Sequence, residues 1–124
     1  LGVMTSSAVA LSSSALDVDL RSGSTATWGT NARRTEGSMM VMLTGNTLVD
    51  GKLSYSGSGN DRDPILAVVG GAVPTSTVVG YYQEDTNLSG IVKYTGSAND
   101  RDIILFNVGG IVPTAVRLEQ LPTP

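Results

Sequence analysis

One stretch of this chain is written twice. Residues 51–75 read GKLSYSGSGNDRDPILAVVGGAVPT and residues 90–114 read GIVKYTGSANDRDIILFNVGGIVPT, offset by 39 residues without a gap and identical at 16 of 25 positions. A period of this length marks one supersecondary unit built twice, so the two copies are expected to share one local fold. Polar residues are duplicated along with apolar ones: Asn-Asp-Arg-Asp stands at 60–63 and again at 99–102.

The apolar runs are short. In residues 15–21, Leu16, Val18 and Leu20 alternate with Asp17, Asp19 and Arg21, the pattern of a half-buried strand. Residues 25–28, 38–43, 48–55, 64–69, 88–94, 103–108 and 115–121 are further strand candidates, rich in apolar or β-branched residues and bounded by Gly, Ser, Asn and Asp, while residues 75–82, rich in β-branched and aromatic residues, link the copies. Residues 29–37 read as a polar loop, and the Gly-Gly pairs at 70–71 and 109–110 as turns leaving strands. No segment of helical length carries a 3.6-residue apolar stripe. The expected fold is all-β: an antiparallel β-sandwich, or a barrel-like variant, of about 8–9 short strands. Within it the duplicated unit would be strand–loop–strand. Residues 1–14, rich in Ser and Ala without a period, are expected to form an extended N-terminal arm. Residues 15–124 would be a single β domain holding the repeat units 51–75 and 90–114.

Composition removes several function classes. The chain has no histidine and no cysteine, which excludes Ser-His-Asp and Cys-His catalysis and the usual zinc sites. Net charge is −3 and no basic cluster occurs, so phosphate neutralisation on nucleic acid is not expected. No apolar run approaches the ~20 residues of a membrane-spanning helix. Paired carboxylates remain at Asp61/Asp63 and Asp100/Asp102, but an arginine separates each pair and the set occurs twice. A catalytic pair has no need of duplication in one small domain, so the chain reads as non-enzymatic.

The Asn-Asp-Arg-Asp loops admit three roles. Asn60, Asp61, Asp63, Asn99, Asp100 and Asp102 supply the oxygen ligands that calcium takes, and calcium is the one cofactor they suggest. Arg62 and Arg101, flanked by carboxylates, suit ion pairing with a neighbouring copy, and the Leu16, Val18 and Leu20 stripe could add an apolar contact to such an assembly. Thirdly, Asn and Asp can cap a turn by bonding their own backbone. Charged residues make up only 15% of the chain, against about 25% in ordinary soluble domains. Such a surface suits packing. The expected function is a structural assembly subunit located in a virion, such as a capsid decoration or cement protein or a tail or fibre part. Its partners would be copies of itself and a larger assembly such as a capsid. The alternatives are an extracellular filament or cell-surface subunit, or a calcium-assisted sandwich that binds carbohydrate or a cell surface.

Overall fold

The computed structural model describes residues 1–122; Thr123 and Pro124, the last two of the expected β domain, lie outside them. The chain divides into two compact units, one made of Leu1–Leu43 with the segment from Glu119 onward, the other of Thr44–Leu118. The sandwich or barrel of 8–9 strands does not form. Among the described residues, six short strands make three separate two-stranded antiparallel sheets, and two helices accompany them.

In the first unit, β1 (Arg33–Glu36) and β2 (Met39–Met42) form a hairpin in which Glu36 faces Met39. Gly37 turns the chain with φ 58°, a left-handed conformation that suits a two-residue hairpin loop. β1 thus arises in the expected polar loop. Arg33 donates to the carbonyls of Leu20, Ser22 and Thr25, which ties residues 20–25 to the hairpin. The alternating segment 15–21 forms no strand. Its end is turned by Asp19, which accepts from the backbone N–H and Nε of Arg21 at 3.0 and 2.9 Å. Such local side-chain bonds offer the backbone an alternative to a ladder. Residues 4–6 of the expected arm bond to residues 26–28 through Ser6 N–H to Ala26 O and Trp28 N–H to Met4 O.

The second unit is the duplicated body. Its elements are β3 (Lys52–Ser54), α1 (Arg62–Val68), β4 (Thr77–Val79), β5 (Ile91–Lys93), α2 (Asp100–Val108) and β6 (Val116–Leu118). Each repeat is therefore strand–helix–strand, and the runs at 64–69 and 103–108 expected as strands are helical. Their ends explain this. Asn60 accepts from the backbone N–H of Arg62 and of Asp63, both at 3.1 Å, and Asn99 accepts from Asp102 N–H at 3.0 Å. These bonds satisfy donors that a helix start leaves open. Pro64 falls in the first turn of α1, where its missing N–H costs little. At the other end Gly70 N–H bonds Ala67 O and Gly71 N–H bonds Leu66 O, and Gly109 and Gly110 repeat the pattern on Phe106 and Leu105. This paired closure needs left-handed backbone, supplied by φ values of 103° and 70° in the first copy. The Gly-Gly pairs leave helices, not strands.

The strands do not pair within a repeat. β3 lies antiparallel to β6, with Lys52 opposite Leu118, Leu53 opposite Arg117 and Ser54 opposite Val116. β4 lies antiparallel to β5, with Thr77 opposite Lys93, Val78 opposite Val92 and Val79 opposite Ile91. At the 39-residue offset β3 corresponds to β5 and β4 to β6, so both ladders are the same inter-repeat pairing seen twice. The body is a pseudo-two-fold structure in which each repeat completes the other. Its core obeys the same relation: Leu53, Ile65 and Val69 from the first repeat and Val92, Ile104 and Val108 from the second are buried. On each helix the buried stripe runs i, i+4, i+8, through Asp61, Ile65 and Val69 or Asp100, Ile104 and Val108, which puts the three on one helical face.

Candidate functional site

The duplicated polar loops sit where each first strand hands over to its helix. Asn60 uses its whole amide locally. Its Oδ1 takes the two helix N–H donors, and its Nδ2 donates to Gly57 O at 2.7 Å and Asp63 Oδ2 at 2.8 Å. Asn99 donates likewise to Gly96 O and Asp102 Oδ2, both at 2.7 Å.

Asp61 lies deeper and ties three segments together. Its Oδ2 accepts from Ser54 N–H at 2.8 Å, its Oδ1 from Leu48 N–H at 3.3 Å, and its carbonyl from the Thr47 hydroxyl at 2.6 Å. Asp100 reproduces this with Lys93 N–H at 2.7 Å, Asn87 N–H at 3.3 Å and the Thr86 hydroxyl at 2.6 Å. Both residues are fully buried. Burial pushes both carboxyls above the ordinary carboxylate range, the backbone donors pull the other way, and Asp50 or Asp85 nearby adds a smaller upward push. Carboxyls near their working pH can exchange protons in catalysis. These two meet no solvent, and each carboxylate oxygen already accepts a backbone donor, so a substrate has no approach to them.

Arg62 lies over the Tyr55 ring at 5.2 Å and Arg101 over Tyr94 at 5.1 Å, within the range of cation–π attraction. Each guanidinium also nears its neighbouring carboxylate, Arg62 with Asp63 at 3.7 Å and Arg101 with Asp102 at 3.6 Å. The loop thus brings Asn60, Asp61, Arg62, Asp63 and Tyr55 into one local network, and its counterpart does the same. Among the described residues no three acidic side chains gather so as to hold a metal ion. The calcium candidates spend most of their oxygens on backbone N–H groups and amides.

Leu16, Val18 and Leu20 belong to the first unit and the two loops to the second. Leu16 and Val18 are exposed and Leu20 is half-buried. Asp17, Val18, Asp19 and Arg21 line an open concavity, in which the Arg21 side chain holds the Asp19 carboxyl below its usual range.

Sequence reasoning missed the residues that receive the buried carboxylates. Thr47 and Thr86 are buried, and they stand at the same 39-residue offset four positions before the recognised copies begin. Extending the repeat upstream would have found them. It also missed a set of exposed apolar residues in equivalent pairs: Val49 with Leu88, Val73 with Val112, and Val79 with Leu118. Val49 and Leu88 hold left-handed φ values of 53° and 58°, conformations that cost a side chain of this type.

Comparison with protein-family models, with curated proteins and with solved structures returned no match.

Proposed function

We propose that this chain is a non-enzymatic structural subunit that packs against copies of itself or a larger protein assembly, as a decoration, cement, tail or fibre component of a virion does. The observation that carries this reading is the duplicated apolar exposure. Val79 is 76% exposed and Leu118 61%, and both belong to two-stranded sheets that no third strand joins among the described residues. Clustered exposed apolar side chains favour association, and unpaired strand edges favour pairing with another chain. The internal commitment of both polar loops supports the same reading, because it leaves them little capacity for a substrate or an ion.

Sedimentation velocity over a concentration series tests it. The chain should form defined oligomers that resist moderate salt, and Val79→Ser with Leu118→Ser should weaken them while circular dichroism stays unchanged. A chain that remains monomeric at every concentration, with or without these substitutions, would refute the proposal.

A further inference from the structure

We infer that two copies of this chain associate by exchanging repeats, so that the first repeat of one chain pairs with the second repeat of the other. This deepens the assembly reading and rests on it: it names how two copies pair, with Val79 and Leu118 still on the surface of the pair to carry further association.

A single repeat is incomplete. Among the described residues no ladder joins two strands of the same repeat: β3 needs β6, and β5 needs β4. The core is shared in the same way, with three buried residues from each side. A repeat is therefore half of a structure, and the surface that completes it is carried by every copy of the chain. In a closed monomer that surface comes from the same chain. In an exchanged dimer it comes from the partner, with every ladder bond, core contact and polar clamp reproduced. The two states differ only in the linker and in the entropy of association, the condition under which exchange is a low-cost route to dimers.

The linker sets the balance between the two states. The correspondence of Thr47 with Thr86 and of Val79 with Leu118 places the repeats at 44–79 and 83–118, so only Gly80, Tyr81 and Tyr82 connect them. Closing so short a connection puts Gly80 at φ 144°, where a Cβ would lie 2.9 Å from Cε2 of Tyr82. Only glycine accepts this backbone at low cost. Tyr81 is wholly exposed. A three-residue connection gives the closed form little slack, and any side chain at position 80 would strain it, the condition under which exchange is promoted.

The test uses the full chain, which contains no cysteine of its own. Thr77→Cys and Lys93→Cys place two thiols directly opposite each other on β4 and β5, within reach of a cross-strand disulfide. Oxidation of the dimer fraction should give a covalent dimer on a denaturing, non-reducing gel. A non-covalent dimer whose disulfides all lie within one chain overturns exchange while leaving the assembly reading intact. A monomer at every concentration overturns both. Should this pair disturb folding, Ser54→Cys with Val116→Cys reports on the other ladder by the same criterion. Independently, Gly80→Ala penalises the closed linker and should raise the dimerisation constant by about tenfold. A Gly80→Ala chain that loses thermal stability with no gain in dimer overturns the inference.

Discussion

Replacing Asp61 with alanine should cost the body about 2 kcal/mol, and the structure says how that sum arises. The Ser54 N–H is buried and donates to Asp61 Oδ2 at 2.8 Å; orphaning such a donor costs about 1–3 kcal/mol. The Leu48 N–H is bonded at the longer distance of 3.3 Å and belongs to an exposed residue, so water can replace its acceptor and it adds little. Against these losses stands a gain. Burial already opposes the ionised carboxylate, as the upward displacement of its pKa records, and alanine removes that opposition. Asparagine separates the contributions. Its single carbonyl oxygen can serve Ser54, while its amide faces the Leu48 donor, so Asp61→Asn should cost about half as much as Asp61→Ala. Asp100→Ala should cost less than Asp61→Ala, because its bonds at 2.7 and 3.3 Å have nearly the same lengths but its main donor, Lys93 N–H, belongs to a residue only half-buried and water can reach it more readily. Urea titration followed by helical circular dichroism reads these values. With a slope of about 1–3 kcal/mol/M, the alanine variant's midpoint should fall by about 1 M. An unmoved midpoint, or equal losses for alanine and asparagine, would show that the buried carboxylate is not what holds the strand to the helix start.

Two further outcomes are expected. The raised carboxyls of Asp61 and Asp100 mean that the folded body binds more protons than the unfolded chain between the ordinary carboxylate value and the raised one. Their stabilising contribution is therefore present at low pH and lost as pH rises through the folded value. On acidification from neutral toward about pH 4, the native chain should gain stability relative to an Asp61→Asn/Asp100→Asn chain; a native chain that loses ground over that interval contradicts the assignment. Ile65→Ala and Ile104→Ala, both at fully buried equivalent positions, should each cost about 2–5 kcal/mol and should do so equally. Thermal melts of the two variants differing by more than experimental error would break the pseudo-two-fold account.

Sequence alone showed the duplication, the shared local fold of the copies, and strand segments that contain β3, β5 and β6. It failed at Ile65–Val69 and Ile103–Val108. Short β-branched runs bounded by glycine fit a buried strand as well as a helix, and periodicity cannot separate the two over so few residues. The separating signals were present at the ends. Asn precedes Asp by three residues at 60/63 and 99/102, and Gly-Gly follows each run, which together mark a helix start and stop. The pairing of β3 with β6 was not legible for a different reason. These strands lie more than 60 residues apart, and an alternation pattern names the face a strand buries but not the strand that lies beside it. The exposure of Val79 and Leu118 was not legible either, because a strand's apolar face turns inward only if another layer covers it.

The strand sharing also bears on where this chain has to be cut. Because Lys52 pairs with Leu118, the body's first and last strands run side by side and its two ends emerge together. The Gly80–Tyr82 span and the gap between Leu118 and Thr44 are equivalent seams of one pseudo-symmetric ring. A circular permutant that opens the first seam and closes the second with Gly-Tyr-Tyr would begin on the second repeat and end on the first. Built from Thr44–Leu118 alone, it would keep both inter-repeat ladders, both helix caps and both buried carboxylates, with the order in which the repeats leave the ribosome reversed.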